Sequence, residues 1–118
     1  MRYSYGSELK FMIPHFKNVD GAMTEYDYHK FKQDLFQNFQ GIGLNYYLVL
    51  PIKEVVDGIE YDAEQVVVYC DKSLEQLIIG EFRENCCKYH KEFGMDSFFY
   101  IQNGVLINLA MGEDEIRF

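Results

Sequence analysis

The chain has 118 residues, of which 48% are hydrophobic and 25% charged, and its net charge is −8. That length and balance fit one globular domain, which buries roughly 65% of its unfolded surface and needs no covalent staple. The charge argues against a nucleic-acid backbone or an anionic membrane as the partner, because both are held through Lys and Arg.

Residues 8–16 are extended and apolar and predict a first strand, followed by a loop over 17–23 around Gly21. Thr24 is placed to cap a helix, with Asp27 three residues on. Tyr28, Phe31, Leu35 and Phe39 then recur at helical spacing, and Gly41 is placed to stop the helix. Residues 44–50 read as a strand with Tyr46, Leu48 and Leu50 on one face and Tyr47 and Val49 on the other. Asp57-Gly58 is a hairpin signal, since a type I′ turn needs positive φ, and residues 65–70 are the returning strand. Ser73 with Gln76 predicts the cap of a second helix, whose stripe of Leu74, Ile78, Phe82, Cys86, Tyr89 and Phe93 ends at Gly94. Strands over 97–101 and 105–110 flank Asn103-Gly104, a second two-residue hairpin signal. The acidic tail, residues 112–118, is expected to fray.

This order predicts a single α+β domain over 1–118 of the ferredoxin-like, split βαβ kind, with an extra C-terminal strand. One antiparallel sheet would carry two helices on one face. The other face is apolar too, and a homodimer formed through it is the expected cover. The segment Tyr89-His90-Lys91-Glu92-Phe93-Gly94-Met95-Asp96-Ser97-Phe98 follows the strand at 65–70 and a first helix opening at Thr24-Glu25. With those elements it resembles a family of small uncharacterised bacterial proteins. They carry Tyr-Lys-x-x-Phe-Gly-Gln-Glu-Ser-Val before the last strand. The resemblance covers about residues 8–109, and Met95-Asp96 stands where the family has Gln-Glu. It implies the same fold and no established activity.

Charge is distributed unevenly. Residues 1–50 hold five acids and five bases, whereas 51–118 hold fourteen acids and six bases. Between Lys53 and Lys72 lie Glu54, Asp57, Glu60, Asp62, Glu64 and Asp71 without one base. A row of carboxylates on a hairpin can fill a basic groove or imitate a phosphate backbone. The plainer reading is a solvated turn whose acids discourage edge-to-edge pairing. Ten tyrosines add contact-forming aromatics.

Motifs for catalysis are missing. The histidines 15, 29 and 90 have no ligand spacing, Gly41-Ile42-Gly43 follows a helix rather than a strand, and no nucleophile motif occurs. Cys86 falls on the apolar stripe, while Cys70 precedes the second helix, whose dipole would lower its pKa. Three cysteines without a C-x-x-C spacing, no apolar core of a secretion signal in residues 1–5, and no apolar run longer than 46–52 predict reduced thiols and a cytoplasmic location. The function expected is a non-enzymatic acidic protein that binds a basic site on a partner protein. Examples are a phage or mobile-element inhibitor of host defence, or an immunity protein. No cofactor or metal is expected. The alternative is a small dimeric α+β enzyme or ligand-binding protein, with His15, His90 and Tyr46 as polar pocket residues.

Overall fold

Periodicity sets the layers. In β1 (Ser7–Pro14) every second residue is buried, and Leu9, Phe11 and Ile13 have no exposed surface. The computed structural model describes residues 6–111. After β1 come β2 (Phe16–Val19), β3 (Ala22–Glu25), α1 (Tyr28–Gly41), β4 (Leu48–Val56), β5 (Ile59–Cys70), α2 (Glu75–Phe93), β6 (Ser97–Gln102) and β7 (Val105–Ala110). Five strands form one sheet in the order β4-β5-β1-β6-β7, with every ladder antiparallel, and β2 pairs with β3 as a separate hairpin. The mixed α+β character expected from the sequence is present.

Both helices cover one face of the sheet. Phe31, Leu35 and Phe39 of α1 and Ile78, Ile79, Phe82, Cys86 and Tyr89 of α2 pack into the same buried cluster as β1 and β5. The rings interlock: Phe11 meets Phe82 at 4.7 Å between centroids, and Phe31 meets Tyr89 at the same separation. Asn85 donates to the carbonyl of Phe31, and Asp34 accepts from Tyr89 and Lys88, which ties α2 to α1. Among the described residues, the opposite face has no helix. Leu48, Leu50 and Leu106 lie on it with 44–62% exposure.

Several local expectations shift. Residues 16–25, read as the strand end, a loop over 17–23 and the helix start at Thr24, form a hairpin whose turn places Asp20 and Gly21 at φ 51° and 83°. Thr24 lies in β3, and α1 is capped by Asp27, whose side chain accepts from the Lys30 N–H. Strand pairing thus claims the residue that local capping chemistry favoured. Ser73 caps nothing: it sits in a 3₁₀ turn (Lys72–Leu74), and α2 begins at Glu75 without a side-chain cap. The central hairpin is longer than the apolar pattern implied, because β4 and β5 extend to the Asp57-Gly58 turn through charged residues. Gly94 at φ 71° ends α2 as expected. The acidic tail, residues 112–118, lies outside the described residues. Among the described residues, no helix is long and apolar enough to cross a membrane.

Candidate functional site

Two concavities flank the β4–β5 hairpin, one on each side of the sheet. Side-chain alternation decides which residues reach which. Ile52, Glu54 and Val56 of β4 point to the uncovered face, as do Met12 and Pro14 of β1 and Phe99 of β6. With Asn18, Asp57, Ser97 and Leu106 they line a groove of about 540 Å³. Its walls are mostly apolar. Glu54 is only partly exposed and has no hydrogen-bond or ion-pair partner among the described residues, and burial pushes its carboxyl above the usual glutamate range. A desolvated acid in a mostly apolar concavity has the environment in which carboxyl groups act as bases or grip ligands.

The hollow on the helix side, about 750 Å³, is polar. Glu64 stands in register with Ile13 and Pro51 and faces α1. One of its oxygens lies 2.6 Å from His15 Nε2, and the other accepts from Lys32 Nζ at 2.8 Å. The Tyr28 ring stacks on His15 at 3.7 Å, with Lys32 near the same ring. Burial alone would raise Glu64, but the hydrogen bonds and charges of Lys32 and His15 outweigh it and hold the carboxyl below its usual range. The arrangement, a triad built from a Lys32–Glu64 ion pair and a hydrogen bond between Glu64 and His15, fastens β5 to α1 and to the corner between β1 and β2.

The six acids of the charged run therefore separate. Glu54 lies in the apolar groove and Glu64 in the triad. Asp62 pairs with its register partner Lys53 in an exposed ion pair. Asp57 and Glu60 stay exposed at the hairpin tip. Asp71 is at the far end of β5, roughly 36 Å from Glu60 for an extended strand. The carboxylates do not form one row.

The alternative pocket residues are also dispersed. His15 joins the triad, His90 Nδ1 lies 2.8 Å from the Met95 carbonyl, and Tyr46 is 89% exposed. Cys86 is fully buried, as its place on the stripe implied. For Cys70 the expected lowering by the helix is reversed: burial first, then Glu75 and Asp71, push the thiol up. Among the described residues, no three His, Cys, Asp or Glu side chains gather as a metal would require.

Sequence reasoning passed over Glu75. This buried residue opens α2 and accepts from Ser7, from Asn103 at 2.8 Å and from Gln102 at 3.1 Å; these donors, Ser7 foremost, hold it below its usual range. The available signal was an acid in a first helical turn, which the dipole favours. Its partners come from both ends of the chain, so no local pattern announces them. The His15–Lys32–Glu64 triad was hidden for the same reason.

No family model and no curated protein matches the chain. Solved structures of similar fold include a phage SAM lyase in its apo state, with TM-score 0.55 and 12% identity over 95% of each chain. A phage SAM lyase in complex with S-methyl-5′-thioadenosine matches with TM-score 0.52 and 10% identity over 93% of each chain. At these identities the likeness is one of fold.

Proposed function

We propose that the chain binds S-adenosylmethionine or its thioether product in the groove on the uncovered face and splits the sulfonium as a lyase. The observation that carries this reading is Glu54, a desolvated carboxyl in an apolar groove, without a hydrogen-bond or ion-pair partner among the described residues. The near full-length likeness to phage SAM lyase, one of them holding S-methyl-5′-thioadenosine, supports the choice of ligand. The sheet order, with a helix on each crossover, supports the finer reading of the fold as a ferredoxin-like split βαβ with β7 added.

The chemistry fits the surroundings. A groove of this volume suits a nucleoside-sized ligand. Met12, Ile52 and Phe99 offer apolar surface to a base and a methyl group, and Glu54 offers a carboxylate to a ribose diol or a sulfonium. Releasing the thioether breaks a carbon–sulfur bond. The bonding pair stays on sulfur, which loses its positive charge, and an apolar groove favours that loss. In an elimination the proton on the neighbouring carbon passes to the Glu54 carboxylate while the C–H pair forms the carbon–carbon double bond of the departing fragment, and a glutamate with a raised pKa is the stronger base for it.

Calorimetry with S-adenosylmethionine and with S-methyl-5′-thioadenosine tests the binding, and chromatography of the mixture tests the cleavage. Saturable heat and released thioether are expected from the native chain, both reduced in Glu54→Gln. Absence of binding by either ligand at millimolar concentration overturns the reading.

A second reading keeps the surface rather than the groove. Asp57 and Glu60 are exposed at the hairpin tip beside Asp62, and a basic protein is the partner such a tip fits, as for a phage inhibitor or immunity protein acting in a cytoplasm. Charge reversal of Asp57 and Glu60 leaves the triad intact. It should abolish a salt-sensitive capture of that partner, and unchanged capture counts against this reading.

A further inference from the structure

The groove on the uncovered face changes character along its length, and strand register fixes the order. Ile52 lies opposite Ala63, and Ala63 opposite Pro14, the last residue of β1. Glu54, Val56 and Asp57 therefore project beyond the end of β1, towards the turn that joins β4 to β5. β2 runs beside this overhang: the Phe16 ring lies 5.3 Å from that of Tyr61, the register partner of Glu54. Asn18 of β2 and Asp57 both line the groove there. Met12, Phe99 and Leu106 lie at the other end, over the body of the sheet. The groove thus has an apolar end, a carboxyl in its middle and a polar end.

The polar end offers an anionic acceptor and a neutral donor. Asp57 has no hydrogen-bond or ion-pair partner among the described residues. Asn18 Oδ1 accepts from the Gly21 N–H at 3.1 Å, which leaves the Nδ2 donors for a ligand. The other polar residues on the rim are engaged. The Ser97 hydroxyl donates to Asn108 at 3.0 Å, and Lys53, turned to the opposite face by strand alternation, is paired with Asp62.

Building on the reading of the groove as a sulfonium-nucleoside site, we propose that its polar end takes the α-amino-acid head of the ligand. The Asp57 carboxylate accepts from the ammonium of that head, and the Asn18 amide donates to its carboxylate. In S-adenosylmethionine the base, the sulfur and the amino-acid head follow one another along the molecule. Apolar surface, Glu54 and the Asp57–Asn18 pair follow one another along the groove in the same order. Glu54 and Asp57 are three residues apart, roughly 10 Å along an extended strand. A sulfur and an ammonium joined by a short carbon chain bridge that span with a contact at each end. A ligand without the head leaves both polar groups in water and gains nothing from them. S-methyl-5′-thioadenosine is such a ligand, so the end that selects the substrate has no hold on the thioether that cleavage releases.

Calorimetry with two thioethers tests this, since neither carries the sulfonium that is cleaved. S-adenosylhomocysteine keeps the head, and S-methyl-5′-thioadenosine lacks it. The native chain should bind S-adenosylhomocysteine about tenfold more tightly, as suits one charged hydrogen bond. Asp57 sits at φ 51° before Gly58, and Asn-Gly favours the same turn, so Asp57→Asn keeps the hairpin. That variant should lose the tenfold advantage and bind S-methyl-5′-thioadenosine as the native chain does. Asn18→Ala should weaken S-adenosylhomocysteine to a smaller extent and again spare the headless thioether. Equal affinity of the native chain for the two thioethers overturns the proposal and leaves the sulfonium-site reading standing. So does an S-adenosylhomocysteine affinity unchanged by Asp57→Asn. Failure to bind either thioether or S-adenosylmethionine overturns both together.

Discussion

Glu54 and Glu64 sit on the two strands of one hairpin and face opposite sides of the sheet. Glu64 has both oxygens occupied, by His15 and Lys32, and its carboxyl is held down. Among the described residues Glu54 has no such partner, and desolvation holds its carboxyl up. One acid is a structural fastener, and the other is the one to which we assign the proposed chemistry. Net charge in a sequence window therefore says little about function until the partners of each carboxylate are known.

The largest effect should come from breaking the fastener. Glu64→Ala leaves Lys32 without its carboxylate and His15 without its hydrogen-bond partner, and a loss of about 2 kcal/mol, roughly 8 °C in melting temperature, is expected. Thermal unfolding of the variant measures it. A loss no larger than that of Glu54→Ala would dissolve the distinction between the two acids.

Ligand binding should show the reverse order. Glu54→Gln is expected to weaken nucleoside binding by about tenfold while the fold stays intact, as suits the loss of a charged hydrogen bond. Calorimetry reads this directly, and equal affinity in the variant would remove Glu54 from the site.

Acidity separates the pair more finely. The folded state lowers the Glu64 pKa, so its stabilisation is present above the ordinary glutamate range and is lost as pH falls through the folded value. The folded state raises that of Glu54, so its relative stabilisation is complete below the ordinary range and is lost as pH rises through the folded value. In melting experiments across pH, Glu64→Gln should be less stable than the native chain near neutrality and converge with it in acid. Glu54→Gln should be equal in acid and slightly more stable near neutrality. Parallel curves for both variants would refute the assignment. The smallest effect belongs to the exposed Lys53–Asp62 pair: Lys53→Ala should leave the melting temperature unresolved from native, because water and salt screen such pairs.

Much of the frame was legible in the sequence. The apolar steps in α1 and α2 marked the buried faces except at the ends of the second stripe, where Leu74 and Phe93 are exposed, since a helix repeats every 3.6 residues whatever it packs against. Asp57-Gly58 and Asn103-Gly104 marked two hairpins, because their positive φ is a local demand. The caps were less secure. Thr24 and Ser73 had the right chemistry, but pairing of β3 and a 3₁₀ turn took those residues for other structures.

The sequence by itself determined what depends on short-range geometry: the helical stripes, the tight turns, an apolar uncovered face and the surplus of acid in the second half. Only the tertiary structure decided the fate of each acid. Glu64 meets His15 from the corner after β1 and Lys32 from α1, and Glu75 meets Ser7 and Asn103, partners distant along the chain. Those meetings follow from strand register and helix docking, where a shift of one residue would exchange the two faces and send Glu54 and Glu64 into each other's surroundings.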